Sequence, residues 1–236
     1  MQPTVLYYVN LALCGLVFLE LLVTFRKNPL LKLYFILIIV SLFAMNYFSI
    51  IGVTTRAQVF LVKSARTVYA CATLLALIHI ANQKIPRWFI VLVIFSAVSL
   101  TGFRLVFFDQ IDIESLANDP NHVFSVGPEL YSPKPVIRAI FLALAIVGIA
   151  IAYYYYRRML LKMNWESRYY KPLSRWVILF VAPFFMLSIF GFLGNLNLVN
   201  ETLSSYLFAF FSCTIICSFI FRPRFLDAGL HLLSGE

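Results

Sequence analysis

Apolar side chains fill seven stretches of this chain, at about 4–24, 31–53, 57–82, 88–108, 135–156, 174–197 and 202–221. Each is too long and too apolar for a strand. About 20 such residues are needed to cross about 30 Å of hydrocarbon, and only helices satisfy their own backbone there. The pattern therefore predicts an all-α, polytopic integral membrane protein: a seven-transmembrane helix bundle over residues 1–221, with 222–236 as a short cytoplasmic tail. The first stretch follows only Met-Gln-Pro-Thr, without a basic leader or a small-residue cleavage motif, so it reads as a retained span and not a signal peptide.

The polar residues between the stretches set the orientation. Arg26, Lys27, Lys32, Lys84, Arg87, Arg157, Arg158, Lys162, Arg168, Lys171, Arg175, Arg222 and Arg224 all fall on one side. Asp109, Asp112, Glu114, Asp119, Glu129 and Glu201 fall on the other, where Arg56 and Lys134 are the loop cations. By the positive-inside rule the N-terminus is outside and the C-terminus inside. Trp88, Trp165 and Trp176 lie at inner ends and form an interfacial belt with the run Tyr153–Tyr156.

Composition agrees: 62% of residues are hydrophobic and 12% charged, against roughly a quarter charged in a soluble domain. The net charge of +9 follows from topology and is no argument for nucleic acid. Cys14, Cys71, Cys213 and Cys217 lie inside apolar stretches, so no disulfide framework is expected. Cys213 and Cys217 share a helical face, but no His or carboxylate is near them in sequence, and they read as packing residues. No cofactor and no metal are expected.

Four cations break the charge pattern. Lys63 and Arg66 stand at i and i+3 within the third stretch, Arg104 near the outer end of the fourth and Arg138 near that of the fifth. A cation in hydrocarbon costs roughly 2.5–3.5 kcal/mol even on the lenient insertion scale, so the pair on the third stretch should face the bundle interior or water. One reading is an outward-facing vestibule for a small anionic ligand, with Arg66 and Lys63 as primary contacts and Arg104 and Arg138 as secondary ones; Arg supplies a planar bidentate fork. Tyr69, Tyr47 and Asn46 stand at depths where they can line it. The alternatives are a salt-bridge network with Asp109, Asp112 and Glu114, or arginines that snorkel to the interface.

Glu20 is the carboxylate well inside a span; its expected partners are Arg26, Arg87 or His79, with a Glu20–His79 proton relay as the functional alternative. Pro183, midway along the sixth stretch, removes a helix hydrogen bond and is the expected flex point. Outside the spans, the acidic segment 109–134 reads as a solvated loop or a cover for the bundle mouth. The basic segment 157–175 reads as a helical extension for an intracellular partner or an anchor on anionic lipid.

The topology is similar to that of rhodopsins and G-protein-coupled receptors, but their diagnostic residues are missing. The seventh stretch has no lysine for a retinal Schiff base, and Ala81-Asn82-Gln83 stands where receptors carry Asp-Arg-Tyr. His79, His122 and His231 are dispersed, which disfavours a membrane hydrolase or other enzyme. The closing segment Phe221-Arg222-Pro223-Arg224-Phe225-Leu226 resembles the junction in bacterial membrane-bound regulators. In these a seven-transmembrane sensor module precedes a cytoplasmic output domain, an AraC-type transcriptional regulator or a histidine kinase. The resemblance implies a sensory module of the bacterial cell inner membrane, working through a cytoplasmic output domain or partner protein; a homodimer is a further expected assembly. A small anion transporter or channel is the second expectation, and a structural membrane subunit the third.

Overall fold

Local start and stop signals set the helix ends. Asn28 caps the second helix by accepting from the Leu31 backbone N–H at 3.2 Å, and Pro29 follows at its first position, where a missing N–H costs nothing. That helix stops at Gly52, whose φ of 75° is open to glycine and strained for other residues. The third helix starts with a reciprocal cap: Gln58 N–H donates to Thr55 Oγ1 at 3.3 Å, and Gln58 Oε1 accepts from Thr55 N–H at 3.0 Å.

The computed structural model describes residues 3–24, 28–80, 87–106, 154, 170–195 and 201–223. Its helices are α1 (Pro3–Val23), α2 (Pro29–Ile51), α3 (Arg56–Ile80), α4 (Arg87–Val106), α5 (Tyr170–Asn195) and α6 (Glu201–Ile220). These match the first four, the sixth and the seventh apolar stretches, with ends displaced by four residues or fewer. The expected span 135–156 lies outside the described residues. Among the described residues every regular element is a helix. Three of them, α1, α2 and α3, are long and apolar enough to cross a membrane, while α4 and α6 carry shorter apolar runs.

Packing runs α4–α3–α2–α1–α6–α5 from neighbour to neighbour. Contacts at both ends fix the directions. Near one end, which we call the Tyr7 end, Tyr7 O–H donates to the Ser205 carbonyl at 3.0 Å and Asn10 Nδ2 to Asn46 Oδ1 at 2.9 Å. Near the other, the Arg222 end, His79 Nε2 donates to Asn28 Oδ1 at 3.0 Å and Arg222 meets Glu20. Thus α1 and α6 run parallel, with α2 antiparallel to both α1 and α3. The first turns of α4 and α5 also lie at the Arg222 end, where Phe89 packs with Ile78 and Trp176 with Ser218.

The Arg222 end is closed by aromatic side chains. Phe35 meets Phe219 edge-on at 4.9 Å, and Trp176 stacks on Phe180 at 5.3 Å with an interplanar angle of 6°. All four rings are buried, and edge-to-face or offset contacts of this kind add about 0.5–1.5 kcal/mol per pair beyond their area. The Trp176 indole N–H donates to the Ser218 carbonyl at 2.7 Å, so its polar atom is satisfied. Of the three long apolar helices α3 is the most buried, with 61% of its most apolar window buried against 28% for α1 and 39% for α2. The outward faces of α2 (Val40, Phe43, Tyr47, Ile51) and α3 (Leu61, Val68) are apolar and exposed.

Candidate functional site

The candidate site is built on α3. Leu61 and Val68 mark its outward face, and the buried residues Val59, Val62, Lys63, Thr67, Tyr69 and Thr73 mark the inward one. Lys63 is 6% exposed. Its ammonium therefore lies within the helix packing and not on the outward face, as the cost of a cation in hydrocarbon requires. Arg66, one turn further, is half-buried. At 1.5 Å per residue, Lys63 stands about 10 Å and Arg66 about 15 Å along the axis from the first residue of α3. Arg66 is thus well inside a helix of 25 residues.

Below Arg66 the same stripe continues with Tyr69 and Thr73, at i+3 and i+7. Tyr69 is 6% exposed and its ring packs on Phe184 of α5 at 5.6 Å, directly beside Pro183. Thr73 is fully buried. The two hydroxyls, one turn apart, are within electrostatic reach of each other, yet neither makes a hydrogen bond of proper geometry among the described residues. A buried polar atom left in that state costs about 1–3 kcal/mol. Beyond Thr73 the buried face turns apolar through Ala76, Leu77 and Ile80 toward the aromatic closure.

Other expected site residues are placed elsewhere. Asn46 is fully buried, but it serves the junction of α1, α2 and α6: it accepts from Asn10 Nδ2 and donates to the Leu42 carbonyl at 2.8 Å. Asn10 also donates to the Ala209 carbonyl at 3.0 Å, while its own Oδ1 and Ser212 Oγ have no hydrogen-bond partner among the described residues. Tyr47 is 43% exposed on the outward face of α2, stacked on Phe43 at 6.4 Å. The Arg104 side chain, Arg138 and the acidic segment 109–134 lie outside the described residues. α5 runs helical through Pro183, which is buried.

Of the partners expected for Glu20, Arg26 lies outside the described residues, and the structure brings Arg222 to it. Arg222 Nη2 meets Glu20 Oε1 at 3.0 Å and also donates to Thr24 Oγ1 at 3.2 Å, while Nη1 donates to the Phe219 carbonyl at 2.8 Å. His79 is committed to Asn28 Oδ1, which requires its proton on Nε2. Glu20 and His79 are therefore in separate contacts, and no direct relay joins them. Sequence reasoning missed Asn10 and Arg222; a polar residue inside an apolar stretch was the available signal for Asn10.

The arrangement can hold a negative group beside Lys63 and Arg66 by charge-assisted hydrogen bonds. Comparison with known proteins finds no match: no family model, no curated protein and no solved structure is similar to this chain.

Proposed function

We propose that this chain is a seven-span sensory module of a bacterial inner membrane. It binds a small anionic ligand in an outward-facing vestibule and relays a helix movement to a cytoplasmic output domain or partner. Arg66 and Lys63 are the primary contacts, Arg104 and Arg138 secondary ones, and Pro183 the flex point. The observation that carries this reading is the buried polar stripe of α3. It starts with two cations on the inward face, runs to Thr73 and gives way to apolar packing closed by Phe35, Trp176, Phe180 and Phe219. A stripe that stops part-way favours a binding site over a transport path, which needs polar groups through the full depth.

The seven-span count is supported by direction. α4 and α5 both begin at the Arg222 end, so an odd number of crossings separates them, and a span at 135–156 supplies one. With α1 as the outward-starting helix, the Tyr7 end faces outside and the junction Phe221–Leu226 inside, where the resemblance to membrane-bound regulators places the output domain.

The test is a thermal-shift screen in detergent with sulfate, phosphate and small carboxylates, on the parent and on Arg66→Ala. At a hundredfold excess over Kd a ligand stabilises by roughly 2.7 kcal/mol. At least one anion is expected to raise the parent's midpoint and to leave that of Arg66→Ala, shown helical by circular dichroism, in place. If no anion stabilises the parent, or the variant responds equally, the reading is wrong. Uptake of the stabilising anion by proteoliposomes would replace the sensor with a carrier.

A further inference from the structure

The anion reading gives Tyr69 only a place in the lining and gives Thr73 no role in binding. Tyr69 and Thr73 continue the line of Arg66 at i+3 and i+7, both buried, and neither hydroxyl has a hydrogen-bond partner of proper geometry among the described residues. Ser64 Oγ and Ser212 Oγ share this state, but several other hydroxyls of the bundle are satisfied within their own helix. Thr24 donates to the Glu20 carbonyl, Ser49 to Met45, Thr67 to Lys63 and Thr101 to Ala97, each bonding back by one turn along its own helix. Thr73 has the same option and does not take it. The Tyr7 hydroxyl, at a comparable burial, finds the Ser205 carbonyl across a helix interface. Tyr69 and Thr73, within reach of each other and in line with a buried cation, keep hydrogen-bonding capacity that the rest of the described protein does not use.

Resting on the anion site proposed above, we infer that this site takes a small carboxylate bearing a hydroxyl or oxo group, the carboxylate on Arg66 and Lys63 and the second oxygen on Tyr69 and Thr73. Both hydroxyls can donate and accept, so a ligand hydroxyl or carbonyl satisfies them, and a plain alkyl group leaves them unpaired. The spacing sets the size. Tyr69 is about 4.5 Å and Thr73 about 10 Å beyond Arg66 along the axis. Side chains on a helix lean toward its N-terminus, the end where Arg66 lies. That lean is common to Arg66, Tyr69 and Thr73, so the axial spacing stands, and it places the two oxygens of the ligand a few bonds apart. Phe184, whose ring packs on Tyr69, supplies an apolar wall beside the ligand's carbon skeleton. An inorganic anion uses the cations and leaves the hydroxyls untouched.

The test compares matched pairs by titration calorimetry in detergent: butyrate against 3-hydroxybutyrate and acetoacetate, and succinate against malate, with sulfate as the inorganic control. The proteins are the parent, Arg66→Ala, Tyr69→Phe, Thr73→Val and the conservative Thr73→Ser. The parent is expected to bind the hydroxy or oxo acid of at least one pair about tenfold more tightly than its plain partner. Tyr69→Phe and Thr73→Val should each shrink that preference while leaving the plain acid's affinity in place. Thr73→Ser should keep it, and Arg66→Ala should weaken every anion. Equal affinity within every pair on the parent, or a preference that survives both Tyr69→Phe and Thr73→Val, overturns this inference and leaves the anion site standing. Binding of sulfate alone does the same. Binding of no anion at all overturns both.

Discussion

Arg222, two residues beyond the last helical residue of α6, is 7% exposed and meets Glu20 of α1 across 3.0 Å. Its other donor closes on the Phe219 carbonyl, so one guanidinium caps its own helix and ties it to the first helix of the chain. The contact is asymmetric: the arginine side chain is 3% exposed and the glutamate 45%.

That asymmetry predicts unequal variants. Glu20→Gln leaves a buried guanidinium short of its counter-charge, and we expect a loss of about 1–2 kcal/mol, below the roughly 3–5 kcal/mol of a fully buried pair because Glu20 is half in solvent. Arg222→Met exchanges the cation for an apolar chain and leaves a carboxylate that water can reach, so it should cost less. Thermal midpoints of the two single variants and the double variant decide the matter. A larger loss for Arg222→Met, or strict additivity, would contradict this account.

The Asn10–Asn46 hydrogen bond invites a double-mutant cycle. Interhelical hydrogen bonds between spans average about 0.6 kcal/mol and reach about 1.7. The second bond of Asn10 crosses to the Ala209 carbonyl of α6, whereas that of Asn46 stays on its own helix at Leu42, so Asn10→Ala should cost more than Asn46→Ala. Unfolding in mixed micelles should give a coupling energy in that range; a coupling of zero would mean that the two amides do not meet.

At the aromatic closure the predictions separate volume from hydrogen bonding. Phe35 touches Trp176, Phe180 and Phe219, and Phe35→Ala should cost about 3–5 kcal/mol through the cavity it leaves. Trp176→Phe keeps most of the ring volume and loses the donor to Ser218, for about 1 kcal/mol. Thermal midpoints in one detergent should rank the two in that order.

Two glycines should respond oppositely to alanine. A Cβ at Gly52 or at Gly15 meets nothing within 4 Å, so space is not the issue at either. Gly52 has a φ of 75° and its replacement by alanine should destabilise by about 1 kcal/mol. Gly15 is helical, and Gly15→Ala should stabilise by about 0.5–1 kcal/mol. The measurement is again the thermal midpoint, and a shift of the same sign for both would refute the backbone argument.

Helix positions were legible because they depend on local groups. Asn28-Pro29 and Thr55 with Gln58 announce their helices from four consecutive residues or fewer, and apolar length does the rest. The inward placement of Lys63 was legible too, since the cost of exposing a cation on an apolar outward face leaves few choices. Asn46 and Tyr47 were harder. They are adjacent in sequence and about 100° apart around α2, so one belongs to the interior and the other to the outward face. Depth along the chain does not say which.

The sequence by itself determined the helical class, the helix positions to within a few residues and the burial of Lys63 on the third helix, which follow from hydropathy and the price of a cation in an apolar medium. The tertiary structure alone decided who meets whom. Glu20 pairs with Arg222, a partner far away in the chain, because α1 and α6 pack side by side and parallel. Asn10 meets Ala209 for the same reason, and Asn46 because α1 and α2 pack antiparallel. Neighbour relations between helices arise from the summed fit of many small contacts over residues far apart in the chain, and no single stretch of sequence carries that sum.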